Sequence, residues 1–130
     1  MRKISINLAG LELKNPVILA SGIAGFGEEY FDLVDLNVLG GFITKTITLL
    51  PKKGNPPPRI FETNGGIVNS IGLENPGLER FIKEKLPFIK KKFKIPVIVS
   101  VGGDSEDEYT EIVQRLESEK GISGFELNLS

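Results

Sequence analysis

Apolar and polar residues form a repeated pattern along this chain. Residues 4–8 and 11–13 alternate between the two kinds, and Ala9-Gly10 between them predicts a turn. Residues 4–13 are therefore typical of a β-hairpin with one buried face. Continuous apolar runs are instead typical of strands buried on both faces of a sheet. Such runs predict further strands at residues 17–20, 42–44, 97–101 and 124–129.

Helical patterns separate these later strands. A short helix is predicted to follow Glu28-Glu29, and a longer one is predicted after Asn75-Pro76, with a kink at Pro87. Apolar residues recur at helical spacing from residue 109 to residue 116, after a capping box that starts at Ser105. After the hairpin, the chain therefore alternates between strands and helices.

This alternation predicts a parallel α/β sheet with right-handed crossovers. Residues 46–66, which are rich in proline, are predicted to form a long loop. The pattern fits the start of a flavodoxin-like sheet or the first half of a (β/α)8 barrel, which needs about 250 residues. Because the chain ends directly after a strand, we expect residues 1–130 to be a fragment of a longer polypeptide.

Composition excludes several classes of function. With 16 Lys and Arg against 17 Asp and Glu, the net charge is −1, so the chain lacks the cationic excess typical of proteins that bind nucleic acids. No apolar run approaches the roughly 18 residues of a membrane span, and polar residues interrupt the N-terminal region where a signal peptide would lie. We therefore expect a cytoplasmic protein that binds neither nucleic acid nor membrane.

The chain contains no Cys and no His. Their absence removes disulfides, thiolate or imidazole metal sites and histidine-dependent catalysis from these residues, and we expect no metal site here. The groups that remain for chemistry are carboxylates, lysines, hydroxyls, asparagines and backbone amides.

Polar or small residues stand where the predicted parallel strands end, and ligands of α/β proteins bind beyond those carboxyl ends. A single polar residue there is also what any strand shows where it meets water, but four such ends together favour a ligand site. Lys45 suits an anionic ligand, although it can also extend to solvent. The residues at the four ends are Ala20-Ser21-Gly22, Lys45-Thr46, Ser100, and Asn128 with Ser130.

Residues 65–73 are a second candidate region. We expect this segment to fold back over the strand ends, where Asn69 and the amides near Gly72 can hydrogen-bond a small planar ligand. A tight turn that leads into the following helix is the structural alternative for the same residues.

Several motifs together resemble class 1 dihydroorotate dehydrogenases. The Gly-Asn-Pro-Pro-Pro-Arg loop at residues 54–59 most resembles the class 1B catalytic subunit. The other motifs are Asn-Pro through Ala-Ser-Gly at 15–22, Thr-Lys-Thr at 44–46, Asn-Ser-Ile-Gly-Leu-Glu-Asn-Pro-Gly at 69–77 and Glu-Leu-Asn-Leu-Ser at 126–130.

The resemblance implies that residues 1–130 are the N-terminal half of a single (β/α)8 barrel domain, which binds FMN and oxidises dihydroorotate to orotate in pyrimidine biosynthesis. For class 1B it also implies a homodimer of the catalytic subunit and a partner subunit with FAD and a [2Fe–2S] cluster, which passes electrons to NAD. Two alternatives remain open. One is a class 1A enzyme that uses fumarate without a partner subunit, and the other is a non-catalytic half-barrel that serves as a binding module.

The resemblance also implies roles for individual residues. Lys45 would support catalysis, whereas the catalytic Cys of the family would directly follow Ser130, so residues 1–130 alone are expected to be inactive. Ser100 stands where relatives often have Asn. The expected FMN contacts are Ala20, Ser21, Gly22, Lys45, Thr46, Ser100 and Asn128. The expected substrate contacts are Lys45, Asn69, Ser70, Ile71, Gly72, Leu73 and Asn128.

Overall fold

A computed structural model, which describes residues 4–130, begins with the predicted hairpin. Its strands β1 (Ile6–Leu8) and β2 (Leu11–Leu13) pair antiparallel, with Ile6 opposite Leu13. Within these two strands only Leu13 is buried. The hairpin itself is confirmed, but its predicted buried face is wrong, because Ile6 and Leu8 are exposed and the hairpin contributes one side chain to the interior.

The remaining elements include the predicted parallel strands and the two later helical regions, together with a hairpin that the apolar pattern does not predict. In chain order they are β3 (Ile18–Leu19), a 3₁₀ helix (Leu36–Val38), β4 (Gly41–Ile43), β5 (Ile60–Thr63), β6 (Gly66–Asn69), α1 (Gly77–Arg80), a π-helical segment (Phe81–Lys85), α2 (Leu86–Lys92), β7 (Val97–Val101), α3 (Glu106–Glu117) and β8 (Gly124–Leu127).

Strands β3, β4, β7 and β8 form one parallel sheet in that order. Leu19 lies opposite Phe42, Phe42 opposite Val97, and Val101 opposite Leu127. The predicted parallel α/β sheet is therefore confirmed, and the predicted strands overlap all four observed ones. Because parallel strands all run the same way, their carboxyl ends share one edge of the sheet.

The core lies between this sheet and the helices. Phe42 and Val99 of the sheet, Phe81 of the π-helical segment and Ile112 of α3 are each 0% exposed. Burying one such side chain contributes roughly 1.5–3 kcal/mol. The continuous apolar runs of the strands therefore supply the centre of the fold, as expected for a parallel sheet.

The predicted helix after Glu28-Glu29 is wrong. The chain forms turns there, followed by the 3₁₀ helix. The Asp35 carboxylate caps this helix by accepting a hydrogen bond from the Asn37 amide at 2.9 Å. Leu33 and Val34 are 76% and 53% exposed, so this segment has no continuous apolar face to bury. A short helix without such a face is not stable by itself.

The predicted long loop at 46–66 is only partly correct. Residues from Ile60 onward belong to an antiparallel hairpin of β5 and β6, with Phe61 opposite Val68. The two residues that join the strands are Asn64-Gly65, a pair that favours tight hairpin turns. The sequence therefore contains a signal for this hairpin within the segment predicted as a loop.

The long helical region starts one residue later than predicted, at Gly77. Pro76 rather than the predicted Asn75 occupies the cap position, although the Asn75 side-chain oxygen accepts from the Gly77 amide at 2.9 Å. Near Pro87 the helix takes the π form, in which the Leu86 amide donates to the Phe81 carbonyl five residues earlier. Proline cannot donate to the preceding turn, so a local change in hydrogen bonding at this place is expected.

Helix α3 begins as its capping box predicts, with the Ser105 hydroxyl accepting from the Glu108 amide at 3.3 Å. Its buried residues, Ile112 and Leu116, face the sheet core. Among residues 4–130, no helix combines the length and the apolar character that crossing a bilayer requires.

Candidate functional site

Three polar side chains meet where strands β4, β7 and β8 end. The Thr46 and Ser100 hydroxyls lie 2.8 Å apart, and the Asn128 amide donates to the Thr46 hydroxyl at 3.0 Å. Thr46 is 6% exposed and Ser100 is fully buried. Hydrogen bonds in such a buried place hold their side chains in one orientation.

Thr44 and Thr48, two positions before and after Thr46 in the chain, are also buried. The Thr44 hydroxyl accepts from the Ser100 amide at 3.2 Å, and the Thr48 amide donates to the Asn75 side chain at 3.1 Å. Every buried side-chain nitrogen and oxygen within residues 4–130 has a partner. Sequence reasoning missed the bond between Thr44 and Ser100 and the separate bonds between Thr48 and Asn75, although threonine at every second position after β4 indicates a single polar face.

A cavity of about 270 Å³ opens beside this network; we call it the small cavity. Pockets for larger ligands span about 300–1,000 Å³, so this volume suits a ligand of roughly one ring. Its wall divides into two groups. The sheet wall consists of Ser21, Gly22, Lys45, Thr46 and Asn128, and the segment wall consists of Asn69, Ile71 and Leu73.

All eight wall residues belong to the set that the sequence singles out. The structure thus brings together strand ends that are up to 107 positions apart in the chain, from Ser21 to Asn128, and the residues of the 69–73 segment. Ala20 is exposed and does not contribute to the wall. Ser100 is buried and reaches the cavity only through Thr46.

Lys45 supplies a positive charge to the small cavity. It is half-buried, and its amide donates to the Gly25 carbonyl at 2.8 Å, which fixes its backbone beside the glycine-rich loop after β3. None of the seven ion pairs among residues 4–130 includes Lys45. The charge is therefore available to an anionic ligand.

Gly22 leaves room in the wall. Its φ is 79°, and a β-carbon added there would have no heavy atom within 4 Å. Any other residue would both be strained at this φ and project into the open space. A flat ring system can therefore approach the backbone closely at this point.

The segment wall alternates along its sequence. Asn69, Ile71 and Leu73 line the small cavity, whereas Ser70 and Gly72 lie against Asn55 on the other side of the segment. Strand-like alternation places successive side chains on opposite faces. Ser70 and Gly72 therefore contact Asn55 and do not line the small cavity. The expected contact of Ser70 and Gly72 with a substrate stays a prediction.

A second and larger cavity of about 770 Å³ adjoins the first and shares Gly22 and Lys45 with it. Its wall is strongly charged, and several of the charges are paired: Lys85 with Glu28 at 2.6 Å, and Lys52 with Asp104 at 3.1 Å. Sequence reasoning did not anticipate this large cavity, because its residues come from separate loops and helices without a common motif.

Comparison with known proteins identifies relatives over almost the whole chain. A family model described as dihydroorotate dehydrogenase matches residues 3–130. The chain is 50% identical over 130 residues to the "Dihydroorotate dehydrogenase B (NAD(+)), catalytic subunit" of Thermodesulfovibrio yellowstonii, covering 100% of this chain and 43% of the relative. The protein of the same name from Desulforudis audaxviator is 49% identical over 128 residues, covering 98% of this chain and 41% of that relative.

A solved structure shows the same arrangement of the chain. The ligand-free DHODH of Eimeria tenella superposes with a TM-score of 0.76 at 27% identity, covering 98% of this chain and 38% of that one. The chain thus spans about two fifths of the length of the curated relatives that it matches.

Proposed function

This chain belongs to the dihydroorotate dehydrogenase family, and we propose that it is the N-terminal half of a (β/α)8-barrel enzyme that oxidises dihydroorotate to orotate in pyrimidine biosynthesis. The observation that carries the proposal is the small cavity, since all eight residues of its wall were singled out by sequence. A wall that combines one free cation, amide groups and apolar side chains suits a small, planar, anionic ring.

The residues of the sheet wall suit one part of the flat ring system of FMN, which is larger than the small cavity and would extend beyond it. The open space in front of Gly22 admits a flat ring, and the hydroxyl of Thr46 and the amide of Asn128 supply polar groups beside it. FMN would accept the hydride from C6 of dihydroorotate. Ala20, Ser21 and Ser100 complete the proposed flavin contacts, Ser100 acting through its hydrogen bond to Thr46.

The chain's own residues would bind and orient the substrate. Lys45 would attract the substrate carboxylate and stabilise negative charge that develops on the ring, an interaction that is stronger where water is excluded. The amides of Asn69 and Asn128 match the donors and acceptors of a pyrimidine, and Ile71 and Leu73 would keep water from the ring. The backbone at Ser70 and Gly72 remains available for further contacts.

The base that removes the C5 proton is proposed to be the family's cysteine, which the resemblance implies directly after Ser130 in a longer protein. Asn128 would hold the chain that leads to it, because its side-chain oxygen accepts from the Ser130 amide at 3.1 Å. The Tyr109 hydroxyl also donates to the Asn128 carbonyl, so the backbone is held from both sides.

The name of the relatives, a B-type catalytic subunit with NAD(+), supports a partner subunit. We propose that a homodimer of the catalytic subunit associates with a second subunit that carries FAD and a [2Fe–2S] cluster and reduces NAD, in the cytoplasm where NAD is available. The class 1A alternative predicts turnover with fumarate by the catalytic subunit without any partner.

The test uses the full-length protein from which these residues come. We expect purified protein to contain FMN and its flavin absorbance to bleach when dihydroorotate is added without oxygen. Residues 1–130 expressed alone serve as the negative control and should show no turnover. Protein that contains no flavin, or flavin that dihydroorotate does not reduce, would contradict the proposal. Fumarate-dependent turnover without a partner would instead assign the class 1A reaction, and orotate binding without any turnover would favour a binding module.

A further inference from the structure

The loop at residues 52–59 runs beside the segment that forms the segment wall, and backbone hydrogen bonds join the two. The Lys52 amide donates to the Asn75 carbonyl at 3.1 Å, and the Asn55 amide donates to the Ile71 carbonyl at 3.0 Å. Farther along, the Ser70 amide donates to the Arg59 carbonyl at 2.9 Å. The loop therefore follows the segment over most of its length.

Asn55 adds its side chain to this pairing. Its amide nitrogen donates to the Ser70 carbonyl at 2.9 Å and contacts the Ser70 hydroxyl at 2.7 Å. Gly72 packs against the same side chain so closely that an added β-carbon would lie 2.9 Å from the Asn55 Cγ and Oδ1 atoms. Asn55 thus contacts both residues of the segment that face away from the cavity.

These contacts determine which residues face the cavity. Because side chains alternate along the segment, holding Ser70 and Gly72 against Asn55 leaves Asn69, Ile71 and Leu73 on the cavity side. Asn55 itself does not line the small cavity. Any influence that it has on a ligand must therefore pass through the segment.

We infer that Asn55 is a positioning residue, which sets the affinity of the small cavity for its pyrimidine ligand by holding residues 69–73 in the binding conformation. The inference rests on the proposed function for the identity of the ligand. Two neighbours hold Asn55 in turn: Pro56 restricts its backbone to extended geometry, and the Arg59 guanidinium donates to its carbonyl at 3.2 Å. Arg59 is also paired with Glu74 beyond the far end of the segment.

The experiment measures orotate binding to the full-length FMN protein by titrating the flavin absorbance spectrum. The variants are Asn55→Ala, which removes the side chain, and Asn55→Asp, which keeps the shape but has no amide donor. Asn37→Ala is the matched control, because the Asn37 side chain also makes two bonds to backbone, with Lys92 and Lys94, at the opposite end of the sheet. Ser70→Ala removes only the hydroxyl that Asn55 contacts.

We expect both Asn55 variants to bind orotate roughly tenfold more weakly, the effect of losing two hydrogen bonds of ordinary strength. Their FMN content should equal that of the wild type, and the Michaelis constant for dihydroorotate should rise more than the turnover number falls. Ser70→Ala should weaken binding less, and adding it to Asn55→Ala should add little, since both act on the same contact. Asn37→Ala should leave orotate binding unchanged.

The result that overturns the inference is wild-type orotate affinity in both Asn55 variants, or an equal loss in Asn37→Ala, which would show a general loss of stability. If Asn55→Ala does not fold, Asn55→Asp and Ser70→Ala decide the question in the same way. A wild-type protein that neither binds orotate nor is reduced by dihydroorotate overturns the proposed function, and with it this inference.

Discussion

The two walls of the small cavity are built in different ways. The sheet wall lies at the ends of the parallel strands, of which β4 and β7 are largely buried, and its Thr46 is bonded to Ser100 in β7 and to Asn128 just after β8. The segment wall follows the β5–β6 hairpin, in which every strand residue is exposed, including Phe61 at 55% and Val68 at 59%. Packing holds the first wall, and hydrogen bonds to one loop hold the second.

This difference separates two tasks of a binding site. Regions with many buried apolar contacts open only with the whole domain, whereas regions held by exposed hydrogen bonds open locally at much lower free energy. The sheet wall is thus suited to hold groups that must not move, such as the Lys45 cation. The segment wall is suited to admit and release a ligand.

The strongest test of the comparison is Lys45→Ala. Removing a charge that is positioned on the rigid wall should slow flavin reduction by dihydroorotate about 100-fold or more. Because Lys45 lines a cavity and has no ion-pair partner among residues 4–130, the fold should survive. Stopped-flow reduction of the full-length protein measures the effect.

Lys53→Ala is the matched control for Lys45, because Lys53 is exposed and lines only the large cavity. Dihydroorotate should reduce the flavin of the Lys53→Ala protein at the wild-type rate. Equal rates for Lys45→Ala and the wild type would mean that the Lys45 side chain simply extends to solvent.

Thr46→Val tests the rigidity of the sheet wall. The substitution keeps the shape but leaves the buried Ser100 hydroxyl and the Asn128 amide without their partner, which should lower the free energy of unfolding by about 1–3 kcal/mol. Denaturant unfolding of the full-length protein measures it. Thr110→Val is the control, because the exposed Thr110 hydroxyl bonds only to the Glu106 carbonyl of its own helix. Equal losses in the two variants would mean that the buried network adds no rigidity.

Substitutions in the hairpin test the other side of the comparison. Phe61→Ser and Val68→Ser should change the free energy of unfolding by no more than about 0.5 kcal/mol, since both side chains are exposed. Ile112→Ala, in the buried core, should lower it by about 2–5 kcal/mol. If a hairpin variant loses as much free energy of unfolding as Ile112→Ala, another surface must cover the hairpin in the full-length protein.

The smallest effect on stability is expected from acidification, which acts on the ion pair between Glu79 and Arg115, remote from both walls. Arg115 lowers the pKa of the Glu79 carboxyl below its ordinary value of 4.5, through a hydrogen bond and its charge. A lowered folded pKa means that the stabilisation is fully present above that ordinary value and is lost as the pH falls through the folded one. Because Glu79 is exposed, salt should weaken the effect further.

Melting temperatures measured between pH 6 and pH 3 check this expectation. The melting temperature of the wild type should exceed that of Glu79→Gln slightly near pH 6, and the difference should shrink towards pH 3 and in high salt. A difference as large at pH 3 as at pH 6 would show that the carboxylate of Glu79 is not its source.

Sequence reasoning failed where local signals were weak or were passed over. The apolar residues after Glu28-Glu29 predict a helix, but they lack the continuous apolar face that a helix needs to bury. Asn64-Gly65 favours the β5–β6 hairpin, whereas the prolines before it predict a loop. The strands were found more reliably, because continuous apolar runs reflect burial on both faces of a parallel sheet.

The sequence by itself determined the parallel α/β sheet, the polar residues at its strand ends and all eight residues of the small cavity's wall. These follow from apolar periodicity and from motifs, which are properties of neighbouring residues. Only the tertiary structure decided that Ser100 lies behind Thr46 and that Asn55 holds the segment from Ser70 to Gly72. The reason is physical: those contacts join residues 15 to 54 positions apart, and their distances depend on how the chain packs.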